Sequence, residues 1–211
     1  MCKGILLFLL IIKLCVCQAQ HPGYNLLVNA NAFKDQFAVA SGKINTLESN
    51  FVQEKNLSML AEKIVSKGKF WFKKDSRLRM EYNDPFQYLL ILNSDKLYIK
   101  DGQRENKIST RSNQLFRQIN SLMMDCVKGT ALASPDFSVR IFENAATDLI
   151  ELSPLTKNLK EFFKNINIIV DKKDDSVEAI EMYEISGDST VIHFINRELN
   201  TTIPDALFTI H

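Results

Sequence analysis

Residues 66–82 carry the sequence SKGKFWFKKDSRLRMEY, in which apolar and charged side chains alternate. Phe70 and Phe72 fall on one side of the first half, and lysines fall on the other. In the second half, Leu78, Met80 and Tyr82 alternate with arginines and a glutamate. A period of two is typical of strands with one buried and one solvated face. The stretch therefore predicts two antiparallel strands joined by a turn.

The same alternation continues on both sides of this stretch. Upstream, Leu47 and Phe51 share one face of a predicted strand. Downstream, short turns rich in Asn, Asp and Gly separate further strands, a pattern typical of an antiparallel meander. We expect about ten or eleven strands in one domain, because no linker rich in Pro, Gly or Ser divides the chain. These would come from twelve candidate segments, which are residues 47–54, 66–73, 77–82, 87–92, 96–100, 105–109, 137–143, 148–153, 166–171, 178–185, 190–196 and 207–210.

Two segments have helical periodicity instead. Apolar residues recur at steps of three and four over residues 26–41, which predicts an amphipathic helix ended by Gly42. A second helix is predicted over residues 113–128, before Gly129, and residues 154–165 are expected to be a connector with a helical turn or two.

The N-terminus has the pattern of a secretory signal peptide. Lys3 precedes an apolar run, interrupted only by Lys13, and a small-residue site ends at Ala19. The run is shorter than the roughly 20 residues that span a bilayer, which disfavours an uncleaved anchor. The residues before Cys15 and Cys17 do not suit a lipoprotein signal. We expect cleavage after Ala19, leaving residues 20–211 as one domain.

Composition and residue spacing exclude several functions. Lys and Arg number 26 against 25 Asp and Glu, so the chain lacks the positive charge of a nucleic-acid binder. Cleavage after Ala19 would leave Cys126 as the one remaining cysteine, and we expect it to be a small buried apolar residue. The histidines His21, His193 and His211 have no partners at metal-ligand spacing, and nucleophile and phosphate-binding motifs are absent. We expect no enzyme, no cofactor and no metal.

The chain has 14 Phe and 6 Met, with apolar side chains on both strands and helices. This pattern fits a packed core, because a sheet must cover its apolar face. It also fits an adaptable apolar cavity beneath a helix that can lift away. Periodicity does not separate these two interpretations.

An ordered series of motifs resembles the LolA-type outer-membrane lipoprotein carriers. Residues 51–55 (FVQEK), 66–74 (SKGKFWFKK) and 78–85 (LRMEYNDP) match the family's Phe-x-Gln strand, Gly-containing strand and Arg-x-Glu strand before a Pro turn. Residues 180–184 (IEMYE), 187–190 (GDST) and 203–205 (IPD), with Phe194 and Phe208, match its C-terminal half. The resemblance covers essentially the whole of residues 20–211.

The resemblance implies a mainly β fold with some helix, an incomplete antiparallel β-barrel covered by a lid of helices. It implies a monomeric periplasmic chaperone without catalysis. Such carriers take acylated lipoproteins from an inner-membrane ABC exporter of the LolCDE type and pass them to an outer-membrane receptor of the LolB type. Acyl chains would enter the apolar cavity between sheet and lid.

The resemblance and the alternation together select the candidate cavity residues. The sheet side would consist of Phe51, Phe70, Phe72, Leu78, Met80, Tyr82 and Ile99, and the lid side of Leu115, Phe116, Ile119, Leu122 and Met123. Lys74 falls where the family has a lid-clamping Arg, and Leu78 and Met80 fall where Phe and Trp are common. The chain ends soon after Phe208, without the extended segment of some carriers, which implies a different hand-over to the receptor.

These departures keep two other functions open. One is a specialised relative that carries another lipid, such as a glycolipid or polyene ester. The other is a lipid-binding or sensor module that carries nothing and acts through a stable partner domain.

Overall fold

The computed structural model describes residues 21–60, 62–94, 96–102, 104–109, 124–125 and 130–210. These residues form twelve strands in one antiparallel sheet, two helices and two short 3-10 turns. The strands are β1 (Asn25–Leu26), β2 (Thr46–Leu57), β3 (Glu62–Lys73), β4 (Arg77–Asp84), β5 (Tyr88–Asn93), β6 (Lys96–Asp101), β7 (Arg104–Ser109), β8 (Phe137–Glu143), β9 (Thr147–Pro154), β10 (Phe163–Asp171), β11 (Val177–Glu184) and β12 (Ser189–Leu199). The helices are α1 (Ala30–Gly42) and α2 (Lys157–Lys160), and the 3-10 turns are Thr130–Ala133 and Asp205–Phe208.

The sheet consists of two meanders joined by one long-range pair. Strands β2 to β7 follow one another, as do β8 to β12, and β12 pairs with β2. The order is β1-β8-β9-β10-β11-β12-β2-β3-β4-β5-β6-β7, so β1 and β7 are the two edges and the sheet stays open. This confirms the predicted fold class of an incomplete antiparallel barrel.

Turn geometry explains the tight β3–β4 hairpin. Asp75 and Ser76 have φ values of 71° and 64°. Residues 74–76 connect the two strands, since Lys73 pairs with Arg77, and Asp is one of the few side chains that tolerate a positive φ in such a turn. The turn fixes the register in which Phe72 pairs with Leu78 and Phe70 with Met80.

The main core lies on one face of the sheet. Side chains from β2–β5 and from β8–β12 belong to one continuous buried cluster, although those strands are far apart in the sheet order. Phe72 in β3 and Ile141 in β8 are both members. The sheet therefore curls around this face, which we call the concave face, and the opposite face is the convex face.

The structure corrects two predicted boundaries near the chain ends. The first helix begins at Ala30, not at residue 26, because Asn25 and Leu26 pair with β8 as an edge strand. Residues 207–210 are not a strand, because Asp205–Phe208 form a 3-10 turn that packs Phe208 on the convex face. The predicted connector over residues 154–165 is shorter than expected, since β10 already begins at Phe163.

Most of the predicted second helix lies outside the described residues. This applies to Leu115, Phe116, Ile119, Leu122, Met123 and Cys126. Within that segment Met124 and Asp125 are described and helical, and Met124 is buried in the main core. Among the described residues, no helix is long and apolar enough to cross a membrane.

The segment after β12 packs on the convex face. Ile203 and Phe208 join Trp71, Ile91 and Tyr98 in a second, smaller core. Polar contacts hold this segment in place: Lys73 Nζ donates to the Ile203 carbonyl at 3.1 Å, and Asn93 Nδ2 donates to that of Phe208 at 3.1 Å. The sheet is therefore covered on both faces near β3–β5.

Candidate functional site

Aromatic side chains of neighbouring strands meet in the middle of the concave face. Phe51 in β2 lies opposite Gly68 in β3 and opposite Phe194 in β12. Phe70 and Phe194 lie with ring centroids 5.0 Å apart. Phe51 and Tyr82 meet edge to face at 4.9 Å. Such pairs stabilise the fold beyond the area that they bury.

Gly68 makes this cluster possible. A Cβ atom at residue 68 would lie 2.0 Å from the Glu81 carbonyl oxygen and 2.8 Å from the Phe51 ring. The β3–β4 register shifts between Lys67 and Gly68, which is where a strand bulges. The absence of a side chain lets the Phe51 ring lie across the backbone of β3.

The apolar rows continue across the rest of the face. Phe72, Leu78, Leu92 and Leu97 lie side by side on β3–β6. In the next row Phe70 lies beside Met80, followed by Leu90 and Ile99. Of the predicted sheet-side residues, Phe51, Phe70, Phe72, Leu78, Met80 and Ile99 are buried and Tyr82 is half-buried. The structure thus brings all seven to one face, where their role in binding remains a prediction.

The second meander supplies a large part of this face that the sequence analysis did not select. Ile141, Ile150 and Ile168 form one row across β8–β10, and Ile166 and Leu152 form the next. All five are almost fully buried in the main core. The signal was present as alternation in residues 148–153 and 166–171, but nothing in the sequence states that these strands face the same interior as Phe70.

Among the described side chains of this face, charged ones occur only near the strand ends. At one end the face carries Asp148 and Glu143, and at the other Lys55 and Glu184. Burial raises the pKa of Asp148, while the neighbouring Lys172 ammonium acts in the opposite direction. Burial also raises the pKa of Tyr82, whose hydroxyl donates to Gln53 Oε1 at 2.9 Å. An apolar ligand bound at the middle of the face would therefore not remove a charged side chain from water.

Helix α1 covers part of the concave face. Phe37 is buried in the main core, and Leu27, Ala30 and Phe33 pack against it. A cavity of about 400 Å³ remains beside the helix, lined by Phe33, Phe37 and Gln36 and by charged residues of the sheet. The helix therefore packs on the sheet along one side only, and the cavity separates its other side from the sheet.

Lys74 lies in the β3–β4 turn, against the end of α1. Its Nζ donates to the Gly42 carbonyl at 3.0 Å, and its backbone N–H donates to the Asn45 carbonyl at 2.8 Å. A cation near a helix C-terminus satisfies free carbonyls and interacts favourably with the helix dipole. Lys74 therefore ties the sheet to the helix with one exposed hydrogen bond, where a guanidinium would offer a fork of donors.

The convex face carries a polar cleft of about 500 Å³ over β8–β11. His21 Nε2 lies 2.9 Å from Oε2 of the buried Glu151, which also accepts from Arg140 Nε at 2.9 Å. Burial, with the Glu181 charge beside it, raises the pKa of Tyr183 in this cleft to about 12. His21 and Pro22 line the cleft, which lies on the face opposite the apolar rows. Within the described residues, no group of three His, Cys, Asp or Glu is placed to hold a metal ion.

Comparison with known protein families gives one extensive match. The family model described as "Outer membrane lipoprotein carrier protein LolA" matches residues 42–211, which include every strand from β2 to β12. No curated protein matches the chain.

Solved structures share the fold at low sequence identity. The complex of Pseudomonas aeruginosa MucA and MucB matches at 11% identity and a TM-score of 0.53, over 86% of this chain and 61% of that chain. An uncharacterized conserved protein from Thermus thermophilus matches at 8% identity and a TM-score of 0.50, over 85% and 94%. A LolA superfamily protein from Nitrosomonas europaea matches at 12% identity and a TM-score of 0.46, over 84% and 97%.

Proposed function

This chain belongs to the LolA family of outer membrane lipoprotein carriers, and we propose that it carries the acyl chains of lipoproteins through the periplasm, from the inner to the outer membrane. The acyl chains would lie against the concave face, beneath α1 and Met124. Phe51, Phe70 and Met80 would contact them from the sheet side. Residues 1–19 would direct export and be removed.

The largely apolar character of the concave face, in which Ser49, Gln53 and Ser66 are uncharged exceptions, is the observation that carries this proposal. Burying a CH₂ group stabilises by about 0.8 kcal/mol, so several acyl chains cannot cross an aqueous compartment unshielded. The face offers rows of Phe, Leu, Ile and Met with charges only near its ends. The same side chains are nearly fully buried in this structure, so cargo would enter only as the covering segments shift away.

The attachment of α1 suits such a shift. The helix contacts the main core through few side chains, and one exposed hydrogen bond from Lys74 holds its end. A carrier must also release its cargo, which favours a small free-energy difference between closed and open states. Cargo would come from an ABC exporter of the LolCDE type and go to a receptor of the LolB type, with no catalytic step by this chain.

Photo-crosslinking in the periplasm tests this function. Tyr82 is half-buried on the concave face, so its position can accept the larger side chain of p-benzoylphenylalanine better than the fully buried positions of that face. We expect adducts with several acylated lipoproteins, identified by mass spectrometry. The matched control is the same replacement at Tyr183, which is half-buried on the convex face. No adduct from folded protein at residue 82, or equal adducts at both positions, would contradict the proposal.

A second candidate is a specialised carrier of a different lipid. The single Lys74 hydrogen bond, together with Leu78 and Met80 in place of bulkier aromatic residues, favours this alternative. Adducts at residue 82 with one small lipid, rather than with many lipoproteins, would select it. A module that carries nothing would give a stable protein partner and no lipid adduct.

A further inference from the structure

The strand connections at one end of the sheet expose large apolar side chains. Met59 and Leu60 lie at the tip between β2 and β3, Ile185 follows β11, and Leu155 and Phe162 flank α2. Met59 is 93% exposed. Phe86, between β4 and β5, continues the series at the same end. We call Met59, Leu60, Leu155, Phe162 and Ile185 the apolar rim.

The connections at the other end of the sheet have a different character. They include residues 74–76, 144–146 and 172–176, which contain Lys, Asp, Asn, Ser and Ala, and Ser94 between β5 and β6. In the described part of the chain, none of these connections exposes a large apolar side chain, although Val28 and Val39 are exposed at and near α1. The strand connections therefore differ in polarity between the two ends.

Hydrogen bonds join the connections of the apolar rim into one unit. The Ser58 N–H donates to Asp188 Oδ1 at 2.9 Å, and Ser58 Oγ donates to the Ser186 carbonyl at 3.2 Å. The Ile185 N–H donates to the Phe162 carbonyl at 3.0 Å. The tips of β2–β3, β11–β12 and the α2 connector are thus held side by side. Because these connections are already ordered together, binding through their apolar side chains would lose little conformational entropy.

Basic residues stand among these apolar side chains. Lys157 and Lys160 of α2 are exposed between Leu155 and Phe162, with Glu161 as the single acidic residue of that connector. Segments that lie in the membrane interface combine apolar insertion with lysines that reach lipid phosphates. Apolar side chains with lysines between them are therefore more favourably placed at a surface of phospholipid headgroups than in water.

We propose that the apolar rim docks on the surface of a phospholipid bilayer, with its five side chains inserted to the boundary between headgroups and acyl chains. This inference goes beyond the proposed cargo, because it holds for any molecule that the concave face carries. Docking would present one end of the half-barrel to the membrane and leave the polar end in water. The binding is expected to be weak and reversible, since the inserted side chains are few.

A second copy or another protein fits the rim less well. The apolar side chains stand on separate tips, with Ser58, Ser186 and Asp188 between them. A stable protein interface needs a continuous complementary patch of about 800 Å² per partner. A bilayer accepts each side chain separately, and polar groups between them remain hydrated.

Vesicle flotation of the chain over residues 20–211 tests the proposal. The probe is vesicles of phosphatidylethanolamine and phosphatidylglycerol. We expect the protein to float with them and the double variant Met59→Ser/Ile185→Ser to lose at least about tenfold in partition coefficient. The matched control is Val65→Ser/Ile195→Ser, which removes two exposed side chains outside the rim and should bind as the parent does.

Several outcomes would overturn the proposal. They are absence of flotation for the parent, an equal loss in rim and control variants, or concentration-dependent dimers that the rim substitutions abolish. Circular dichroism of each variant verifies folding. Cross-linking of cargo at residue 82 separates the two proposals. In the parent, flotation without cargo adducts would contradict only the carrier function. In the rim variant, lost flotation with retained cargo adducts would support docking independently of cargo binding.

Discussion

At the scale of single residues, Gly68 is the tightest position of the sheet. A methyl group there would overlap the Glu81 carbonyl and the Phe51 ring, and the carbonyl belongs to a paired strand that cannot simply rotate away. We expect Gly68→Ala to lower the free energy of unfolding by more than about 2 kcal/mol. Urea unfolding followed by circular dichroism measures this loss.

Gly42 provides the matched control for that substitution. It ends α1, and a Cβ atom added there would meet no other atom within 4 Å, so Gly42→Ala is expected to be neutral or slightly stabilising. Equal unfolding midpoints for the two variants would show that the close approach of β3 and β4 has no energetic weight.

Lys74 decides how firmly α1 is held. Lys74→Met removes the hydrogen bond to the Gly42 carbonyl, and because that bond is exposed the loss of global stability should stay below about 1 kcal/mol. Local opening should respond more clearly, with faster amide hydrogen exchange in α1. Lys74→Arg should restore protection, and Lys43→Met, beside the same helix end, should leave exchange unchanged. Unaltered exchange in Lys74→Met would mean that apolar packing alone holds the helix.

At the scale of elements, the segment after β12 stabilises the convex face. Phe208 is fully buried against Trp71, Ile91 and Tyr98, so Phe208→Ala should cost about 3–5 kcal/mol. Trp71 is the single tryptophan and is nearly buried, so its emission should shift to longer wavelength. Phe86→Ala makes the same chemical change at an exposed position and should alter neither stability nor emission.

At the scale of the whole molecule, Arg197 joins the far end of β12 to the turn after β10. Its Nη2 lies 2.7 Å from Asp171 Oδ2, and its Nε donates to Ser176 Oγ at 2.9 Å. The backbone N–H of Lys173, followed by Arg197 itself, holds the pKa of Asp171 below its usual value. The ionised carboxylate therefore stabilises the folded state.

The sign of that shift fixes how stability depends on pH. A lowered folded-state pKa contributes stability that is complete above the unfolded-state pKa of about 3.9 and is lost as the pH falls through the folded-state value. Arg197→Ala should lower stability by about 1 kcal/mol at neutral pH, and the difference from the parent should shrink below about pH 4. Urea midpoints measured across that range test this, and a difference independent of pH would assign the effect to packing instead.

The class of structure could be predicted from the amino-acid order alone, because alternation is a local property of each strand. Residues 66–82 place Phe70, Phe72, Leu78 and Met80 on one face whatever the strands pair with, and the structure confirms the antiparallel, open sheet. The family could likewise be predicted from short motifs that follow one another along the chain. The match over residues 42–211 confirms it.

The contacts between segments that are far apart in the sequence could be seen only in the tertiary structure. Residues 207–210 are mostly apolar and are predicted as a strand, yet Phe208 lies in a 3-10 turn because the convex face of β3–β5 offers it a buried site. Leu26 fits the predicted helix by periodicity, yet it follows Asn25 into an edge strand because β8 offers both residues the hydrogen bonds of a sheet edge. The isoleucines of β8–β10 reach the same interior as Phe70 only because β12 pairs with β2 and the sheet curls. These outcomes depend on burial and pairing between residues far apart in the chain, and local periodicity carries no information about such partners.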